Sequence, residues 1–204
     1  VIMTNAELMK SGDYPPEKEG QFLSGILTVS KQMRGLVEQM LELARTDLLD
    51  VKETFTRINL SNLLETELLN FEPVFYEAGL SLQTDMEPNL LIKGNEEKLR
   101  RLPGILLDNA GKYAAKGGKV EVSLKRQGGK HCLLTVSNEG TELSPDECRQ
   151  IFKRFYRMDG VRSRSGSYGL GLSIAENIVN LHHGRIWAES HDGWNHFHIR
   201  LPLV

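Results

Sequence analysis

The sequence predicts an α+β chain: an N-terminal helical hairpin, half of a four-helix bundle, followed by a two-layer α/β sandwich. Residues 20–49 carry Phe22, Ile26, Val29, Met33, Leu36, Met40 and Leu43 at alternating steps of four and three, the spacing of a packed helical seam. From Thr54 the pattern changes to short β-branched or apolar runs separated by single helices, which marks a second domain with its own core. Its helices come singly between antiparallel-prone strands. A mixed sheet with helices on one face therefore fits better than a doubly wound sheet.

Taken in order, Val1 to Lys10 is helix-compatible and is stopped by Ser11-Gly12-Asp13-Tyr14-Pro15-Pro16. Two helices sharing one apolar seam cannot complete a core, so a second hairpin from another copy is expected and the chain should be a homodimer. Residues 1–53 form this hairpin, and residues 54–204 the second domain. There the pattern gives a strand near Phe55–Leu60, a helix Ser61–Ala78 opened by a Ser cap, strands near Leu80–Met86 and Leu90–Lys93, and a helix from an Asn95 cap. Pro103 puts the start of that helix, or a kink, near Arg101. Strands Val120–Lys125 and Cys132–Asn138 are joined at Gln127-Gly128-Gly129. A short helix Pro145–Phe152, a Gly/Ser/Arg loop, a helix Leu170–Leu181 and strands Arg185–Glu189 and His196–Leu201 complete the chain.

Composition narrows the function. In 204 residues, 25 Lys+Arg oppose 27 Asp+Glu, so the net charge of −2 does not support a duplex-binding surface and no nucleic-acid partner is expected. No long apolar run and no signal peptide is present, so a cytoplasmic setting is expected, with any membrane attachment through segments upstream. Val1 falls inside a helix-like run, as in a piece cut from a longer chain. Cys132 and Cys148 form no CxxC and read as core thiols.

Two constellations carry chemistry. Leu102, Leu106, Asn109 and Tyr113 follow at steps of four, three and four, putting an amide in line with the apolar stripe of a helix. With Lys112, one turn then offers an amide oxygen for a metal, a cation for phosphate and an aromatic plane. The second lies between Arg149 and Arg164, where six basic residues face the single acid Asp159 and run into Ser165-Gly166-Ser167-Tyr168-Gly169-Leu170-Gly171-Leu172. Glycines ahead of a periodic helix expose backbone N–H groups at its positive end, a ready anion site.

Together these residues resemble the sensor histidine kinases of two-component systems. Leu106-Leu107-Asp108-Asn109-Ala110-Gly111-Lys112-Tyr113 looks like the N box, Ile151-Phe152-Lys153-Arg154-Phe155-Tyr156-Arg157 the F box, and Gly169-Leu170-Gly171-Leu172-Ser173-Ile174-Ala175 the G2 box. The preceding hairpin resembles the family's dimerisation and histidine phosphotransfer domain. The resemblance implies a Bergerat ATP-binding fold, with Asn109 on Mg²⁺, Lys112 on phosphate and Tyr113 beside the adenine of ATP. It also implies Asn138 and Gly140 at the base and Gly169, Leu170, Gly171 and Leu172 under the phosphates. By its composition, rich in glycine, serine and arginine with Val161 as its aliphatic anchor, the segment Arg157–Ser167 with Arg157, Arg162, Arg164 and Gly166 is expected to be a mobile lid ordered by bound phosphates. The implied partner is the receiver domain of a response regulator, reached through a histidine upstream of residue 1.

Departures are as informative. The family's G1 box is commonly Asp-x-Gly-x-Gly, but Asn138-Glu139-Gly140-Thr141-Glu142 puts a neutral Asn at the adenine contact and Glu142 at the second Gly. Ile105 stands where many members carry a second Asn, and Trp194-Asn195-His196 interrupts the last glycine-rich box. All six histidines, His131, His182, His183, His191, His196 and His198, lie in the second domain. His182 and His183 end a helix, where positive charge suits the dipole, and His196 and His198 share a strand face without the further ligands a metal needs. A non-catalytic scaffold or phosphatase module with weakened ATP binding is the alternative that the altered G1 box raises.

Overall fold

The computed structural model describes residues 1–12, 14–47, 54–157 and 168–204. The chain divides into two compact units, Val1–Asp50 and Val51–Val204. In the first, helix α1 (Ile2–Ser11) ends at Gly12 with φ 70°, a left-handed cap that glycine adopts without strain. A 3₁₀ turn, Pro16–Lys18, leads into α2 (Glu19–Asp47). The long helix expected over 20–49 is therefore described as far as Asp47. Packing of α1 on α2 leaves none of their described residues fully buried. Leu23, Leu27, Met33, Val37, Met40 and Leu41 all stay exposed, so the described residues of this unit form no closed core of their own. No described helix is long and apolar enough to cross a membrane.

In the second unit, strand β1 (Thr56–Asn59) leads into α3 (Leu60–Glu77), and β2 (Ser81–Met86) and β3 (Leu91–Gly94) into α4 (Glu96–Tyr113). Strands β4 (Lys119–Gln127) and β5 (His131–Glu139) precede α5 (Pro145–Gln150) and α6 (Gly171–Leu181), and β6 (Arg185–His191) and β7 (Trp194–Pro202) close the chain. Five strands form one sheet in the order β2-β4-β5-β7-β6, with β2 parallel to β4 and the rest antiparallel. The mixed sheet expected from the sequence is present, except that β1 and β3 leave it to form their own antiparallel pair.

Alternation of side chains builds the core. Val120, Val122 and Leu124 of β4, Cys132, Leu134 and Val136 of β5, and Phe197, Ile199 and Leu201 of β7 are buried on one face. Leu63, Leu64 and Leu68 of α3, Leu99, Leu102 and Leu106 of α4, and Ile174 and Ile178 of α6 are buried in the helical layer packed there. Cys132 is a core thiol, pushed up to about 11 by burial.

Several boundaries differ from expectation for identifiable reasons. The cap of α3 is Asn59, whose side chain accepts from Asn62 N at 3.2 Å; Ser61 instead donates to Glu87 O at 2.8 Å and accepts from Leu90 N at 3.1 Å. Ser61 thus ties the helix to the segment before β3 rather than opening it. Pro103 neither starts nor ends α4, which begins at its Asn95 cap and continues through the buried proline to Tyr113. Strands β6 and β7 are longer than expected because Asp192 (φ 55°) and Gly193 (φ 78°) make a two-residue turn with both φ angles positive. His182 is not a helix-end cation: it is buried, Nδ1 lies 2.6 Å from Ile178 O, and Nε2 accepts the Asn95 N–H at 3.0 Å, which a neutral ring can do.

On the opposite face of the sheet, His196 Nδ1 meets Ser137 Oγ at 2.8 Å and His198 Nδ1 meets Thr135 Oγ1 at 3.0 Å. Burial holds both imidazoles below the ordinary histidine range, outweighing the nearby Glu189 carboxylate. The unfolded chain then binds more protons than the folded one as pH falls from the ordinary histidine value. Stability from these groups is complete above that value and is lost through the depressed one. Urea midpoints should fall from neutral pH toward pH 5, and His196→Gln/His198→Gln should flatten that slope. An unchanged slope in the double variant would assign the acid sensitivity elsewhere.

Candidate functional site

The expected site residues come from three places, and α4 supplies the first set. Its buried stripe runs through Leu99, Leu102, Leu106 and Ala110, so Asn109 sits half-buried on the flank of the stripe rather than within it. An amide there needs no internal partner and is open to a ligand. Lys112 Nζ lies 2.5 Å from Asp108 Oδ2, an i,i+4 pair on an exposed surface. Such pairs are worth roughly 0.3–0.5 kcal/mol, too little to hold the lysine against a phosphate.

The second set lies where β5 ends. Asn138 is fully buried; its Nδ2 donates to Glu139 O at 3.3 Å and its Oδ1 has no hydrogen-bond partner. An orphaned buried acceptor costs about 1–3 kcal/mol, so a donor from a bound molecule fits it. Gly140 has no room for a side chain: a Cβ there would stand 2.6 Å from Tyr113 O and 3.1 Å from Asn138 Nδ2. The close approach joins the end of α4 to the end of β5 and brings Tyr113, Asn138 and Gly140 together.

The third set opens α6. Gly169 (φ 69°) is pressed against the F-box backbone, where a Cβ would meet Tyr156 O at 2.5 Å, and Phe155 N donates to Gly169 O at 2.9 Å. The stem of Arg157 lies against the same glycine. Leu170 is buried, Ser173 Oγ donates to its carbonyl at 2.8 Å, and α6 begins at Gly171. A Cβ on Gly171 would touch Ile105 at 3.4 Å, one turn before Asn109, so the glycine-opened end of α6 packs beside the Asn109 helix. Leu172 follows in the first turn of α6. Arg162, Arg164 and Gly166, with the rest of the expected lid after Arg157, lie outside the described residues.

Sequence reasoning missed the residues that hold the 140–143 loop. Asn195, register partner of Asn138 on β7, donates to Thr141 O at 3.0 Å and accepts from Ser190 Oγ at 2.8 Å; Ser190 Oγ accepts from Leu143 N at 2.9 Å. Glu142 Oε1 accepts the Gly193 N–H at 2.6 Å, and Gly140 N donates to Gly193 O at 2.9 Å. The Asp192-Gly193 dipeptide was the available signal, since a tight turn there sets Asn195 opposite Ser190.

Comparison with known proteins agrees with this architecture. Residues 94–204 match the family described as histidine kinase-, DNA gyrase B-, and HSP90-like ATPase, to which the chain belongs. The chain is 34% identical over 183 residues to the sensor protein DltS of Streptococcus agalactiae, covering 90% of this chain and 46% of DltS. It thus spans about half the length of that relative. The structure of the Acinetobacter baumannii histidine kinase AdeS superposes with a TM-score of 0.80 at 18% identity, over 99% of this chain and 93% of that one. Histidine kinase ThkA, solved in complex with response regulator protein TrrA, gives 0.79 at 21% identity over 100% of this chain and 57% of that one. Within the ATPase family, the chain carries the catalytic domain of the sensor histidine kinases.

Removing Asn195 should loosen the 140–143 loop. Asn195→Ala leaves Thr141 O and Ser190 Oγ without their partner and should cost on the order of 1–3 kcal/mol, read as a lower urea midpoint at unchanged m-value. A wild-type midpoint would show that the loop is held without it.

Proposed function

We propose that this chain is the kinase core of a membrane-anchored bacterial sensor, working on the cytoplasmic side, and that it binds Mg-ATP between α4, the end of β5 and the start of α6. Residues 54–204 are the ATP-binding catalytic domain and residues 1–53 the dimerisation and phosphotransfer hairpin. The observation that carries the reading is Asn138 Oδ1, a fully buried acceptor without a partner beside Tyr113 and Gly140. It suits the amino hydrogens of adenine, the base expected there.

The residues present fit Mg²⁺ as well. The half-buried Asn109 amide offers one oxygen ligand, with phosphate and water completing the shell, as suits an ion that keeps several waters. Bound there, Mg²⁺ would neutralise phosphate charge. Lys112 would exchange Asp108 for a phosphate oxygen, and the Gly169–Leu172 backbone would direct N–H groups at the same chain of phosphates. Phosphoryl transfer needs mainly positioning and charge neutralisation, which these groups supply. The γ-phosphoryl would pass to a histidine carried upstream of residue 1 in the parent, since residues 1–53 contain none, and then to an aspartate on a response regulator receiver domain. The exposed apolar side chains of α1 and α2 support pairing of two hairpins into a four-helix bundle, hence a homodimer.

Calorimetry tests the site. Mg-ATP should bind, and at a hundred times its Kd should stabilise the fold by about 2.7 kcal/mol. Asn109→Ala should remove most of that gain. Absence of both heat and stabilisation would favour a nucleotide-free scaffold. For transfer, γ-labelled ATP should leave this chain unlabelled but label a separately supplied hairpin carrying the acceptor histidine. Labelling of the chain itself would overturn the placement of the acceptor.

A further inference from the structure

A cavity of about 610 Å³ opens between α5, the flank of α6 and β6, and none of the nucleotide-site candidates lines it. Its volume is in the range of small-ligand sites. Leu143, Phe152, Ile186 and Ala188 give it an apolar lining, and Glu176 from α6 enters it as a half-buried carboxylate. No hydrogen bond or ion pair engages that carboxylate among the described residues. Desolvation accordingly raises its pKa above the ordinary glutamate value.

The other ionisable side chains of the lining have contacts elsewhere, and none makes a hydrogen bond or ion pair with Glu176 among the described residues. Arg149 is paired with Asp146, and His191 Nδ1 lies 3.0 Å from Asp192 Oδ2. Glu189 accepts from Trp187 Nε1 at 3.0 Å. Glu176 is thus left as an uncompensated negative group against an apolar wall. Burying a carboxylate is costly without a partner, and a cation that enters the cavity relieves that cost. β6 is also an edge strand of the five-stranded sheet, so the side of its backbone facing away from β7 pairs with no described strand.

We propose that this cavity binds an organic cation, an ammonium or guanidinium on a short apolar stem, with Glu176 as its counter-ion and Leu143, Phe152 and Ile186 around the stem. The proposal stands independently of the nucleotide site. Two sources share this chemistry: a free small amine or guanidine, and a basic side chain on an extended peptide lying along β6.

The experiment titrates the whole chain with butylguanidinium, and with butanol as the uncharged control, following backbone amides by ¹H–¹⁵N NMR. Saturable shifts should centre on Glu176, Phe152 and Ile186–Ser190 with the cation and not with the alcohol. Glu176→Gln should weaken binding on the order of tenfold or more while leaving Mg-ATP binding unchanged and the melting temperature no lower. Glu176→Ala, shorter as well as neutral, should do the same. A capped Val-Arg-Val peptide identifies the source. Tighter binding than butylguanidinium, with slowed amide exchange along β6, assigns a peptide; equal or weaker binding assigns a free small cation. Equal binding of butanol, unaltered affinity in Glu176→Gln, or no saturable shift at millimolar cation would each overturn the proposal.

Discussion

Placement of the site rests on the contact between the carbonyl of Tyr113 and the bare α-carbon of Gly140. The last turn of any helix leaves carbonyls without intrahelical donors, and their direction is set by whatever packs there. Here Ala115 N donates to Glu139 O at 2.7 Å and Gly140 N to Gly193 O at 2.9 Å. The helix end, the strand end and the hairpin turn are thereby locked into one junction. A Cβ at position 140 would stand 2.6 Å from the Tyr113 carbonyl and push these elements apart. Asn109, Lys112 and Tyr113 ride on one side of the junction and Asn138 on the other, so their mutual positions follow from it.

The departures from the family's glycine-rich boxes become intelligible as one structural unit. Glu142, at the place of a glycine, accepts from the turn amide of Gly193; Asn195, within the last box, reaches back to Thr141 O and is held by Ser190. Each altered residue ties the loop after β5 to the β6–β7 hairpin, from opposite ends. The two boxes are distant in sequence but adjacent in the sheet, because β5 pairs with β7 along their whole length. Read separately they look like lost motifs. Together they are a substituted set of loop anchors.

Much of the fold was legible because periodicity and turn chemistry agree with it. The Asn95 cap, the Gly128-Gly129 turn and the helix ending at Leu181 are local features, decided within a few residues. The misses are non-local. Ser61 has the chemistry of a cap, yet tertiary partners at Glu87 and Leu90 claim its hydroxyl. His182 looks like a cation at a helix end, yet the Asn95 amide sits on its Nε2. Gly94 makes room for that ring, since a Cβ there would stand 2.6 Å from Nε2. In the site, the N box and G2 box were readable as motifs, whereas the Asn195–Ser190–Leu143 chain depends on strand register and could be seen only through the Asp192-Gly193 turn.

Two buried amides lie opposite one another on β5 and β7, and their contrast bears on how the site behaves without ligand. Asn195 is engaged at both its oxygen and its nitrogen, whereas Asn138 keeps an unused acceptor in a fully buried position. Under the proposed base contact, a carboxylate at position 138 would bond the adenine amino group more strongly, because a charged acceptor makes a stronger hydrogen bond. With the site empty, that same charge would stand desolvated and unpaired, a heavier penalty than an orphaned amide oxygen. Asparagine therefore lowers the cost of the empty state and, under the proposed base contact, the gain on binding. Both changes compress the difference between free and bound forms, so under that contact a neutral residue at this position favours weaker nucleotide binding than a carboxylate would.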